Sequence, residues 1–267
     1  MKLSEIPGIN FPESDLFTLF AGPCVVESID SLGRIAEKLC EISVGLKIPF
    51  VLKASYKKAN RTKHDAFRGI GDEKALKALR QVGTIYKIPT MTDVHSIYET
   101  RLAEQYVDIL QIPAFLCRQT ELIEAAALTG KIVNIKKGQF ISGEDMIFIA
   151  EKIQNMGNNN IIFTERGTMF GSDDTVLDFR NIEIMKDTGH PVLVDVTHSL
   201  GKYGGIHSMI KTFAKCAIVA GADGIFIETH PNPMLALSDS NRMLMLNNMP
   251  ELLRVLISLK QVMNVTK

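Results

Sequence analysis

Short apolar runs that alternate with helix-length segments constrain this chain more than any other feature. The runs are Phe17–Cys24, Phe50–Ala54, Pro89–His95, Val107–Pro113, Ile132–Lys136, Ile161–Arg166, Val192–His198 and Gly224–His230. Between the first two, Leu32, Ile35, Ala36, Leu39, Ile42 and Leu46 recur at helical spacing, which predicts a helix over Ile29–Lys47. Further helices are expected over Glu73–Tyr86, Thr120–Leu128 and Gly143–Gln154. Strand and helix in alternation imply a parallel sheet, because parallel neighbours need a long crossover. About eight such units close a TIM (β/α)8 barrel, the expected α/β fold. The runner-up, an open doubly wound sheet, would carry Gly-x-Gly-x-x-Gly after its first strand, and none is present. No linker or shift in composition divides residues 1–267, so one barrel domain is expected. A short N-terminal extension, Phe11–Phe20, is expected to cap the barrel bottom.

The 267 residues are 46% hydrophobic, enough for a full core. Formal net charge is zero, which argues against a nucleic-acid or membrane-surface partner. A small anionic ligand needs only local positive charge. Cys24, Cys40, Cys117 and Cys216 are scattered, no apolar leader opens the sequence, and no run reaches the roughly 18 residues of a membrane span. A reducing, cytoplasmic setting is the expectation.

Polar groups close almost every run: Cys24, Lys53, Asp93 with His95, Gln111, Lys136, Glu165 with Arg166, His198 and Glu228. In a barrel those ends meet at one mouth, where sites of this fold lie. Buried charges are costly unless paired or liganded. Lys53, Lys58, Arg61, Lys136 and Arg166 gathered there would repel one another unless anions fill the cleft, which points to a doubly anionic ligand or two phosphorylated ones. Some of them are expected to pair internally with Asp93, Glu165 or Asp195. Cys24, His198, Glu228 and Asp239 offer a thiolate, an imidazole and two carboxylates, a set suited to Zn, Fe(II), Mn or Co. Read plainly, Cys24 is a small core residue and His198 bonds a neighbour. Arg118 stands where a helix begins and opposes its dipole, so something outside recruits it, or it pairs with Glu121 or Glu124. His64, His190 and His207 read as surface or loop histidines.

The segments AGPCVVES (21–28), LKASYKKANRT (52–62), FRGIG (67–71), TDVH (92–95), QIPAFLCRQTEL (111–122), VNIKKGQF (133–140), TERGTMFG (164–171), DVTHS (195–199) and IETHPNPMLALSD (227–239) resemble the 3-deoxy-D-manno-octulosonate 8-phosphate synthase family over most of the chain. The resemblance implies condensation of phosphoenolpyruvate with arabinose 5-phosphate, with release of phosphate, in lipopolysaccharide precursor synthesis. By carry-over, Lys53, Lys58, Gln111, Ala114, Lys136 and Arg166 hold phosphoenolpyruvate, and Asn60, Arg61 and Thr62 hold the pentose phosphate. Phe115 belongs to the same substrate-binding set. Arg118 reaches in from a neighbouring subunit of a homotetramer. Asp93 contacts sugar hydroxyls, and Lys58, Asn60, Asp93 and His198 form the expected catalytic set. Cys24 in the first strand marks the metal-dependent branch, with His198, Glu228 and Asp239 as the other ligands.

Three departures from the family pattern are visible: a short loop at Ser199–Ile206, the run Asn241–Leu246 beyond Asp239, and Thr62 where Ser is common. The first two bear on how a lid excludes water. The rival enzyme class is the heptulosonate-phosphate synthase acting on erythrose 4-phosphate, against which FLCRQT and KANRT argue. A Schiff-base aldolase and a catalytically degenerate barrel are further alternatives.

Overall fold

A computed structural model describes residues 1–61, 63–170, 172, 174–204 and 206–265. The parallel strands β1 (Thr18–Gly22), β2 (Phe50–Lys53), β3 (Thr90–Asp93), β4 (Ile109–Ile112), β5 (Ile132–Lys136), β6 (Ile161–Glu165), β7 (Val192–Asp195) and β8 (Gly224–His230) pair in chain order. β1 also pairs with β8, Thr18 opposite Gly224 and Gly22 opposite Glu228, which closes the barrel. A two-residue strand β9 (Leu244–Met245) adds to β8 outside it.

The helices α1 (Ile29–Leu46), α2 (Asp72–Tyr86), α3 (Ile97–Ala103), α4 (Thr120–Leu128), α5 (Met146–Asn155), α6 (Arg180–Lys186) and α7 (His207–Val219) fill the crossovers, and α8 (Met249–Val265) ends the chain. Helix α1 shows how sequence sets the bounds. Ser28 Oγ accepts the Ser31 N–H at 3.0 Å and caps its start. Lys47 turns left-handed at φ 53° and ends it, just before the extended Ile48–Pro49 leads into β2. The inner stripe of α1, Leu32, Ile35, Ala36, Leu39 and Ile42, packs on the outer faces of the strands. Each fully buried Leu or Ile there contributes about 1.5–3 kcal/mol from removal from water.

Inside the barrel the period of two in each strand builds layers. Phe20, Val51, Met91, Ile109, Ile132, Ile162, Leu193 and Phe226, one from each strand, form an apolar floor. Leu3 and Ile6 close this floor from below, with Met1 and Ile9 against them. The bottom cap is therefore made by residues 1–9 and not by Phe11–Phe20. Phe17 packs in the outer layer and Thr18 onward is strand, because the alternating apolar side chains of that run already serve β1. His190 stands in a loop, as expected, but is buried, its ring edge-on to Phe163 at 5.6 Å.

Candidate active site

Two residues beyond the floor, on the same inward side of each strand, stand Gly22, Lys53, Asp93, Gln111, Asn134, Thr164, Asp195 and Glu228. Six of these side chains belong to one hydrogen-bonded belt. Thr164 Oγ1 donates to Asn134 Oδ1 (2.8 Å), Asn134 Nδ2 to Gln111 Oε1 (3.0 Å), and Gln111 Nε2 to Asp93 Oδ1 (2.5 Å). Ser55 Oγ donates to Asp93 Oδ2 at 2.6 Å. Lys53 Nζ gives to Ser55 Oγ at 3.1 Å and to Glu228 Oε1 at 3.2 Å. Gly22 leaves the room this needs, since a Cβ there would run into the Lys53 carbonyl. Burial opposes the charge of Asp93, yet Lys53, Lys58 and His95 hold its carboxyl well below the usual range.

One step higher lies the mouth, a cavity of about 510 Å³. Lys53, Lys58, Asn60, Arg61, Asp93, Gln111, Ala114, Phe115, Lys136, Arg166, His198, Glu228 and Asp239 all line it, each an expected site residue, and His95 and Gln139 line it too. Thr62 lies outside the described residues. Arg118 is exposed and outside the cavity lining. Lys57, one of the four cations in 51–62, turns away and pairs with Glu99 (2.7 Å) and Asp72 (3.0 Å). Glu165, grouped with the mouth by its place at a strand end, points to the outer side and sits 3.6 Å from Lys137. The alternation that sends Thr164 and Arg166 inward requires this.

Internal pairing goes further than expected. Lys136 Nζ lies 2.6 Å from Asp195 Oδ2, Lys53 is 3.2 Å from Glu228 and 3.7 Å from Asp93, Lys58 is 4.0 Å from Glu228, and Arg61 is 3.5 Å from Asp239. Arg166 gives one long bond to the His198 carbonyl (3.4 Å) and leaves Nη1 buried without a hydrogen bond. Lys136 and Lys53 also lie over the Phe226 ring, at 4.2 and 5.2 Å. Burial lowers the pKa of Lys136, and Asp195 only partly offsets it.

Cys24 sits just past β1. Its carbonyl accepts the Ser55 N–H, and Val25 bridges to Ser55, so β1 and β2 stay in register up to the site. Cys24, Glu228 and Asp239 each bring a donor atom within 4.8 Å of the others. Cys24 Sγ is 2.9 Å from both Asp239 Oδ2 and Ser238 Oγ. His198 points Nε2 at the same space, 3.7 Å from Glu228 Oε2 and 4.0 Å from Asp239 Oδ2, somewhat outside the tight group. Asp195 sets this ring: its Oδ1 takes the backbone N–H of Thr197 (2.9 Å) and His198 (2.8 Å), and its Oδ2 meets His198 Nδ1 at 2.8 Å.

The donor set fits a divalent ion. Glu228 Oε2 is buried and accepts no hydrogen bond. Burial and then Glu228 push the Cys24 thiol up, far from a free thiolate, so a cation is what would ionise it. Burial opposes the charge of Asp239, but Cys24, Lys58, His198 and Arg61 bring it down to about 2. Asp239 is held in the left-handed region at φ 48°, which Asp enters more readily than most side chains.

The fold and this mouth define a (β/α)8-barrel protein with a cation-lined cavity and a Cys–carboxylate cluster at the C-terminal ends of its strands. The profile described as DAHP synthetase I family matches residues 6–265, and the chain belongs to that family. Among its relatives, a 2-dehydro-3-deoxyphosphooctonate aldolase of Trichlorobacter lovleyi is 45% identical over 268 residues, 98% of each chain. One from Rickettsia bellii is 43% identical over 273 residues, 100% of this chain and 98% of its own. Among the described residues, no helix is long and apolar enough to cross a membrane.

Sequence reasoning missed Asn134 and Thr164 as parts of the site, and took Asp195 only as a counter-charge. Counting two residues on from the floor position of each strand would have found all three. Ser238 carries no such signal.

Proposed function

We propose that this chain condenses phosphoenolpyruvate with arabinose 5-phosphate and water to give 3-deoxy-D-manno-octulosonate 8-phosphate and phosphate, as a cytoplasmic, homotetrameric enzyme of lipopolysaccharide precursor synthesis. One observation carries the reading. Five cations and the carboxylates of Glu228 and Asp239 open into a single cavity, in a chain whose relatives carry the aldolase name over nearly their whole length.

Lys53, Lys58, Gln111, Lys136 and Arg166 hold phosphoenolpyruvate, with Ala114 and Phe115 as its wall. Arg166, whose Nη1 is buried without a hydrogen bond, meets the phosphate, and Arg61, with Nε and Nη2 likewise unbonded, is left for the second anion. Asn60, Arg61 and Thr62 take the pentose phosphate, joined by Arg118 of a neighbouring subunit. Asp93 has both oxygens engaged within the belt, so it serves the sugar hydroxyls through its remaining lone pairs and keeps Lys53 and Gln111 in place. Cys24, His198, Glu228 and Asp239 would hold a Zn, Fe(II), Mn or Co ion. When bound, that ion supplies Lewis acidity toward the aldehyde or an acidified water.

The mouth aligns the enol carbon of phosphoenolpyruvate with the aldehyde, a gain from orientation. The new carbon–carbon bond leaves cationic character on the adjacent carbon. Water adds there, and the carbon–oxygen bond to phosphate then breaks. Lys136 and Arg166 stabilise the phosphate as it leaves. Asp195 on Nδ1 fixes the His198 ring so that Nε2 would face the ion, which leaves a water in the mouth to carry the proton.

The test is phosphate release from phosphoenolpyruvate with a panel of sugar phosphates, with and without chelator. Turnover with the pentose phosphate that chelator abolishes is expected. Turnover with erythrose 4-phosphate alone would replace this reading by the heptulosonate one.

A further inference from the structure

Lys137 and Glu165 form a buried pair that the reaction above does not use. Both are 0% exposed. Lys137 lies on the opposite face of the chain from Lys136, and Glu165 on the opposite face from Arg166, so the pair sits directly behind those two cations. Lys137 Nζ is 3.6 Å from Glu165 Oε1. It donates to the carbonyls of Gly138 (3.2 Å), Ile141 (3.1 Å) and Gly167 (3.4 Å) and to Thr168 Oγ1 (3.2 Å). Glu165 Oε1 accepts the backbone N–H of Arg166 (3.0 Å) and Gly167 (2.6 Å).

One ammonium therefore ties the loop after β5 to the turn after β6. Neither segment has much freedom to drift. A Cβ at Gly138 would meet Cys117 Sγ at 2.8 Å and the Ala114 carbonyl at 3.1 Å. Gly167 is left-handed at φ 93° and pressed on Thr175. A buried ion pair is poor value for stability alone, since an apolar pair of similar volume often serves as well or better. What it supplies is a fixed geometry, and here the residues next to it in the chain are Lys136 and Arg166. Met169 N–H on the Gln139 carbonyl (3.0 Å) continues the same seam up to the cavity wall.

We infer that Lys137 and Glu165 are positioning residues: the pair fixes the spacing of Lys136 and Arg166 and so sets the grip on a phosphate group at the mouth. The identity of that phosphate as phosphoenolpyruvate's rests on the proposed function; the positioning does not.

The test uses the full chain with Glu165→Gln, which keeps volume and acceptor, with Lys137→Met, and with both together. Calorimetric titration with inorganic phosphate and with phosphoenolpyruvate reads the grip; KM for each substrate is measured in parallel. Expected is a loss of affinity for both anions on the order of tenfold to a hundredfold, the scale of a misplaced contact group. KM for the pentose phosphate should stay within about twofold, a split that general loosening would not give. The double variant should lose no more than the worse single one, because the two act as a unit. Wild-type anion binding in Glu165→Gln, or equal rises in both KM values, would overturn the inference. If Lys137→Met does not fold, Glu165→Gln decides alone. If the wild-type chain binds phosphate but does not turn over phosphoenolpyruvate, while the variants lose phosphate, the functional reading falls and this one stands.

Discussion

Lys136 and Asp195 meet at 2.6 Å across the barrel, and the oxygen that Lys136 contacts also receives His198 Nδ1. One carboxylate thus holds a cation of the mouth and the imidazole that faces the Cys24 group. Its own charge is secured by both: burial would raise its pKa, but His198 and Lys136 keep it well below the usual range.

Asp195→Asn should therefore damage both functions together. Lys136 is charged below its pKa and neutral above it. Burial already lowers that pKa, and Asp195 raises it. Without Asp195 it falls further, so the alkaline limb of kcat/KM for phosphoenolpyruvate should move to lower pH. At neutral pH the loss should be on the order of 10- to 100-fold, as for other groups that orient ligands. The pH–rate profile checks it.

Cys24→Ala should leave a folded chain that retains no ion after dialysis and has no activity. Because Cys24 is a thiol before an ion arrives, ion uptake by the wild-type chain at neutral pH should release about one proton. Titration of chelator-treated protein in two buffers of different ionisation heat measures it.

Arg118 stands outside the cavity of its own chain, so a role at the sugar phosphate has to be played in a neighbour. Arg118→Ala should raise KM for the pentose phosphate on the order of tenfold or more and leave that for phosphoenolpyruvate within about twofold, the loss of one charge-assisted contact. Mixed assemblies of Arg118→Ala and Lys136→Ala chains should show turnover with a pentose-phosphate KM near the wild-type value, which neither parent shows. Equal shifts in both KM values, or no recovery on mixing, would remove the role.

Glu99 collects Tyr56 OH (2.6 Å), His95 Nδ1 (2.8 Å) and Lys57 (2.7 Å). Burial opposes its charge, but His95, Lys57 and Tyr56 hold its pKa below the normal value. A depressed carboxylate stabilises the fold above its unfolded pKa of about 4.3, and the contribution fades as pH falls below that. Glu99→Gln should cost about 2 kcal/mol at pH 7, the scale of hydrogen bonds to a charged group. The gap to wild type should narrow toward pH 3, as read by denaturant unfolding.

Ile6→Ala opens the barrel floor from below and should cost about 2–4 kcal/mol as a buried large-to-small change. Because the floor separates Ile6 from the mouth, kcat should be unchanged. Urea unfolding and steady-state rates check the two halves.

Strand number, closure and the mouth were legible because a period of two and a helical period leave marks that need no tertiary context. The cationic set and the Cys24–His198–Glu228–Asp239 grouping followed from strand ends, the loops just beyond them and the family resemblance. Glu165 was placed with the mouth because proximity in sequence was read without the alternation that turns it outward. The bottom cap was misplaced for another reason: termini have no period, so their partners are set by packing that only coordinates show. The paired state of Lys53, Lys58, Arg61 and Lys136 was underestimated because Glu228 and Asp239, read as ion donors, also stand as counter-charges, as does Asp195.

The junction of β1 with β8 joins Thr18 to Gly224, and just beyond it Cys24 comes beside Glu228 and Asp239. Loop closure over such a span is entropically slow. Until it happens no shorter piece of the chain assembles the pocket, so occupancy by an ion would report complete maturation of the barrel, and severed halves kept apart in solution would capture nothing.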